Sequence, residues 1–158
     1  MQTLVIYDSK FGNTEKVAEA IGRGAASLGA VRVRSTSEAA GSATFGADRP
    51  DLVILGGPTH NHGVSKVLRA FLDAIPVPLQ GLPAAAFDTR YRGPSLVMGS
   101  AASGADKALR GNGSRAVASP ESFFIVRGGP LEKQSLEPGE LDRAEAWGRS
   151  VASAARGA

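Results

Sequence analysis

At 158 residues, with 42% hydrophobic and 21% charged side chains, the chain has enough apolar residues for one domain and too few residues for a second core. No apolar run approaches the roughly 18 residues needed to cross a bilayer, and the absence of cysteine excludes disulfides, iron–sulfur clusters and thiol catalysis, leaving redox chemistry to a bound cofactor. The net charge of +3 and the isoelectric point near 9.6 come from scattered Lys and Arg, without the basic block or aromatic-plus-basic motif of a nucleic-acid surface.

The chain passes from Met1-Gln2-Thr3 straight into Leu4-Val5-Ile6-Tyr7, with no basic flank and no small-residue cleavage site. That predicts a first strand over Thr3–Asp8 rather than a signal peptide, and a cytoplasmic protein. A helix from about Thr14 sets Val17, Ile21, Ala25 and Leu28 on one face and stops at Gly29. Val31–Ser35 alternates as an edge strand does, and residues 36–50, rich in Ser, Ala and Gly, suit at most a poor helix. Leu52–Leu55 reads as a buried strand closed by Gly56-Gly57-Pro58, and Ser65–Ile75 as a helix carrying Val67, Leu68, Phe71, Leu72 and Ile75 at helical spacing. Pro83–Phe87 is another buried strand, Ser100–Arg110 a weaker helix ended by Gly111, and Phe123–Val126 a last strand. The final helix, Gly139–Ala155, lines up Leu141, Ala144, Gly148 and Val151, with Trp147 a core or helix-packing residue. Strands alternating with helices in this way predict an open parallel sheet with right-handed crossovers. Such sheets place ligands outside the carboxyl ends of their strands, at the switch point in strand order.

The loop after the first strand is Asp8-Ser9-Lys10-Phe11-Gly12-Asn13-Thr14. Its hydroxyls, its small Gly12 and the free amides of the helix it enters suit an anion, because oriented N–H groups bind phosphate without any cation. The same residues also suit a plain N-capped helix in which Ser9 or Asn13 satisfies those amides. The Gly-Lys-Ser/Thr phosphate loop and the Gly-x-Gly-x-x-Gly dinucleotide fingerprint are both absent.

Ser9-x-Phe11-Gly12-Asn13-Thr14 resembles the FMN phosphate loop of flavodoxins, and the stretch from Val5 to Lys16 is also similar to the flavodoxin domain of flavodiiron proteins. Gly57-Pro58-Thr59-His60-Asn61-His62-Gly63 resembles the loop that wraps the isoalloxazine ring in that family, with His60 where an aromatic side chain is common. The resemblance covers about residues 3–155, at the size of a short-chain flavodoxin. It implies a doubly wound five-stranded parallel sheet of order 2-1-3-4-5 with helices on both faces. It further implies FMN held by Ser9, Lys10, Phe11, Gly12, Asn13 and Thr14 at the phosphate, and by Pro58, Thr59, His60, Asn61, His62 and Gly63 along the ring. A third loop supplies Asp88, Thr89, Arg90 and Tyr91, with Tyr91 the natural stacking residue.

His60 and His62 also form a His-x-His pair, which admits a metal or a plain surface role besides a place against the ring. Lys10, Arg90 and Arg92 occupy loops that are acidic in many flavodoxins, so these cations either raise the flavin potential or point into water. A receiver domain shares this architecture, but its phosphoacceptor Asp has no counterpart at Gly56-Gly57-Pro58. The resemblance therefore implies an electron carrier working between redox partner proteins or delivering to a small acceptor. The alternative is an FMN-dependent NAD(P)H:quinone reductase, and a third reading keeps the fold without the cofactor. The lack of a nicotinamide site or a large lid favours the carrier, whereas the basic isoelectric point departs from the acidic surface usual in carriers.

Overall fold

The computed structural model describes residues 1–40, 45, 49–60, 62–75, 79–128 and 133–157, the side chain of Ser95 excepted. The first half comprises β1 (Gln2–Tyr7), α1 (Asn13–Ala25) closed by a 3-10 turn at Ala26–Leu28, β2 (Ala30–Ser35), α2 (Thr36–Ala39), β3 (Leu52–His60), β4 (Gly63–Val64) and α3 (Lys66–Asp73). The second half comprises β5 (Pro83–Tyr91), α4 (Ser95–Met98), α5 (Ala101–Gly111), β6 (Arg115–Ala116), β7 (Glu121–Arg127), β8 (Gln134–Leu136) and α6 (Glu140–Arg156).

The principal strands run in the order β2-β1-β3-β5-β7, all parallel, which is the expected 2-1-3-4-5 arrangement. Two antiparallel additions were not foreseen. β4 folds back on the end of β3, and β8 pairs with β7 at the sheet edge. Alternation along the central strands sends Val5, Ile54, Phe87 and Phe123 to one face and Leu4, Ile6, Val53 and Leu55 to the other. The first face is covered by α1 and α6, through Val17, Ile21, Ala144 and Val151. The second takes Leu68 and Leu72 of α3 and Ala105 and Leu109 of α5. Trp147 is half-buried against the core, edge-on to Phe87 and Phe123 at centroid distances of 6.4 and 6.1 Å.

Helices α1 and α6 come together through glycine. A Cβ on Gly24 would lie 1.9 Å from the Glu145 carbonyl oxygen, and one on Gly148 would lie 2.3 Å from that of Ile21. The sequence marks Gly148 as an inward position but gives no sign that its missing side chain sets the helix separation.

Two strands run further than their apolar content predicts. The third principal strand, expected to end at Leu55, continues through Gly56-Gly57-Pro58 to His60, and the fourth, expected to end at Phe87, continues to Tyr91. The cause is mutual: β3 and β5 stay paired from Val53↔Ala84 to Pro58↔Thr89. The Phe87 ring fills the space a side chain on Gly56 would take, a Cβ there lying 2.3 Å from it. Glycine and proline that read as a strand stop are thus a strand interior shaped by its neighbour. In the doubtful 36–50 stretch, α2 is a single turn with a Ser35–Glu38 capping box, and residues 41–44 and 46–48 lie outside the described residues.

Candidate functional site

The carboxyl ends of β1, β3 and β5 open on one cleft of about 180 Å³. Lys10, Phe11, Asn13 and Thr14 line it from the first loop, Pro58, Thr59 and His60 from the second, and Thr89, Arg90 and Tyr91 from the third. Ile125 and Gln134 complete the wall, from β7 and the unforeseen β8. None of the described lining residues is acidic.

Gly12 turns the chain into α1 in the left-handed region (φ 85°), where a side chain would be strained, and its N–H donates to Ser9 Oγ at 3.1 Å. Ser9 therefore shapes the loop from within. The next amides, of Asn13, Thr14 and Glu15, open the helix and have no intrahelical acceptor. Thr14 and Thr89 are buried and share a hydroxyl hydrogen bond of 2.8 Å across the floor. A hydroxyl carries one proton and accepts twice, so Thr14 can accept from Thr89 and still donate to a ligand. Asn13 Nδ2 donates to the Gln134 carbonyl at 3.3 Å, and Gln134 Nε2 donates to the Tyr91 hydroxyl at 3.0 Å. Gln134 thereby joins the first loop to the third, and nothing in its flanking sequence marks that role. The carboxylate in the first turn, Glu15, accepts from the Tyr7 hydroxyl at 2.8 Å. Burial first, and that hydrogen bond second, push Tyr7 up to about 12.

Asp88 stands behind the cleft instead of lining it. It is fully buried, and its Oδ2 accepts from the hydroxyls of Thr59 (3.1 Å) and Ser100 (2.7 Å) and the amide of Ala102 (3.0 Å). Its Oδ1 has no hydrogen bond and faces Arg90 Nε at 3.9 Å. Arg90 is itself tied down, donating to Ser122 Oγ at 3.0 Å and to the Gly93 carbonyl at 2.9 Å. Arg92 does not line the cleft. Its guanidinium lies over Phe124 and pairs with Glu137 at 2.6 Å. Both arginines are therefore less available to a ligand than their loop positions suggest.

His60 lines the cleft, but His62 and Gly63 do not, and Asn61 lies outside the described residues. His62 takes a left-handed conformation (φ 67°) at the turn into β4, and its backbone presses on Gly99, where a Cβ would lie 2.0 Å from the His62 oxygen. No group of three or more potential metal ligands forms among the described residues, and no helix there is long and apolar enough to cross a membrane.

Fold and site together define a doubly wound α/β protein with a cleft at its strand ends. The flavodoxin family model matches residues 5–147, and the chain belongs to the flavodoxin family. Membership implies flavin-binding electron transfer. No curated protein matches the sequence. Among solved structures, a flavodoxin from the domain Archaea is similar over 99% of both chains, at 21% identity and a TM-score of 0.79. Oxidised Flavodoxin 1 from Bacillus cereus is similar over 97% of this chain and 98% of its own, at 20% identity and a TM-score of 0.77. The Flv1 flavodiiron core from Synechocystis sp. PCC6803 covers 99% of this chain and 36% of its own, at 18% identity and a TM-score of 0.73. At these identities the likeness is one of fold.

Proposed function

We propose that residues 1–158 act as one FMN-binding domain that carries electrons between redox partner proteins. The observation that carries this reading is a cleft in which unpaired helical amides, a buried hydroxyl pair and an exposed tyrosine meet, with no carboxylate among its described lining residues. A phosphate fits the amides of Asn13, Thr14 and Glu15 and the Thr14 hydroxyl, where donors and the helix dipole favour negative charge. The flat ring of a flavin fits between the loops of Pro58–His60 and Thr89–Tyr91, with Tyr91 held in place by Gln134. Bound FMN would supply the electron-transfer chemistry that this cysteine-free chain lacks.

The protein's own residues keep the site preformed. Asp88 fastens the end of β3 to the start of α5 through Thr59, Ser100 and Ala102, so the ring loop does not have to be ordered on binding. A visible spectrum of the purified protein tests the reading, followed by NADH and NADPH oxidation with a quinone present. A carrier shows a flavin spectrum and little turnover. Rapid turnover would assign the chain to the reductases instead.

A further inference from the structure

Resting on the reading of this cleft as an electron-transfer site, we propose that its mouth is a docking surface for an acidic redox protein. Phe11 stands at the edge of the cleft with 44% of its surface exposed. Two ammonium groups flank its ring, Lys10 Nζ at 5.4 Å and Lys133 Nζ at 5.7 Å from the centroid. They come from separate segments. The β7–β8 hairpin delivers Lys133, and in the same hairpin Arg127 stands opposite the cleft-lining Gln134. Three cations therefore gather on one side of the mouth.

The segment that follows the cleft-lining Tyr91 adds an apolar patch. In α4, Leu96 is fully exposed and Val97 67% exposed. This short helix is held at its C-terminal end, against Gly93 and the turn into β4. Met98 packs where a Cβ on Gly93 would lie, 2.8 Å from its Cγ, and Gly99 backs onto the His62 carbonyl. Large apolar side chains held in water, with a cluster of cations on the same cleft's loops, have the make-up of an interface core with a charged rim. Among the described residues, Glu137 is paired with Arg92, and Glu15 accepts a hydrogen bond from Tyr7.

Charge selects among occupants. A basic partner sets like charges against Lys10, Arg127 and Lys133, and so does a second copy of this chain. An acidic face pairs with all three, which orients the encounter and raises the association rate. This reverses the arrangement of a carrier with an acidic surface.

The test uses the reduced FMN-loaded protein and two high-potential acceptors, an acidic blue-copper protein and a basic c-type cytochrome, followed by stopped-flow spectroscopy. From about 0.01 M to about 1 M salt the Debye length falls from about 30 to about 3 Å, and transfer to the acidic acceptor is expected to slow about tenfold or more. Transfer to the basic acceptor is expected to hold or quicken. The double variant Lys133→Glu/Arg127→Glu should lose most of the low-salt rate to the acidic acceptor, and Leu96→Ser/Val97→Ser should lose rate at every salt concentration. Both variants should take up FMN with unchanged affinity, because none of the four residues lines the cleft. A faster low-salt reaction with the basic acceptor would overturn the docking proposal, as would indifference to these substitutions. Self-association through Leu96, seen by sedimentation and lost in the serine variant, would also overturn it. A wild-type protein that takes up no FMN would instead sink the reading of the cleft on which the proposal rests.

Discussion

Replacing Thr14 by valine separates the hydroxyl's structural role from its role toward a ligand. Thr14 and Thr89 are 2% exposed each and bonded at 2.8 Å, so Thr14→Val leaves the Thr89 hydroxyl buried without its partner. An orphaned buried hydroxyl costs about 1–3 kcal/mol, which urea unfolding of the FMN-free protein should register. Removing both hydroxyls in Thr14→Val/Thr89→Val deletes the mismatch, and most of that stability should return. Ligand affinity should behave differently. If Thr14 donates to the phosphate, both variants lose a hydrogen bond to a charged group, about 1.5–3 kcal/mol, or about 13- to 160-fold in Kd. The assay is a paired measurement of urea midpoint and FMN affinity by fluorescence quenching on wild type, both single variants and the double. Thr89→Val alone should weaken FMN less than Thr14→Val, since Thr89 acts only through Thr14. A double variant that recovers FMN affinity along with stability would refute the reasoning, because the hydroxyl would then serve the fold alone.

Arg92→Ala should move the midpoint of the bound flavin by no more than about 10 mV in a spectroelectrochemical titration, because Glu137 and solvent already offset that charge. Arg90→Ala should lower stability by about 1–3 kcal/mol in urea unfolding, since it removes the cation facing the buried Asp88 Oδ1. Tyr7, raised from 10.0 to about 12, stabilises the fold fully below pH 10, and that contribution is lost as pH rises towards about 12. Denaturant midpoints across this range should fall in wild type and fall less in Tyr7→Phe. Gly24→Ala should push α1 from α6, its Cβ meeting the Glu145 carbonyl at 1.9 Å, and cost about 1–3 kcal/mol in thermal or urea unfolding.

What the sequence reveals here follows from which interactions are local. A continuous apolar run marks β1, which is buried on both faces, and helical spacing marks α1 and α6, each of which buries its own stripe; the turn at 9–14 is legible because Ser9, Gly12 and the helix start lie within six residues. Gln134 is illegible for the opposite reason. Its neighbours Lys133 and Ser135 give no strand signal, and its contacts to Asn13 and Tyr91 are fixed only once β8 pairs with β7. The extension of β3 past Gly56-Gly57-Pro58 is hidden in the same way, since the side chain that justifies Gly56 belongs to Phe87. Charge on a loop is visible in sequence, but its availability is not. Sequence leaves Arg90 and Arg92 open between facing a ligand and facing water; Ser122, Gly93 and Glu137 decide how they are held.

The measurement closest to the central claim is calorimetric titration of the FMN-free protein with FMN and, separately, with riboflavin. The two ligands share the ring and differ at the phosphate, which is assigned to the amides and hydroxyl at the start of α1. FMN is expected to bind at least about a hundredfold more tightly, a difference of about 2.7 kcal/mol that two charge-assisted hydrogen bonds can supply. Equal affinity for the two ligands, or no binding of either, would contradict the account.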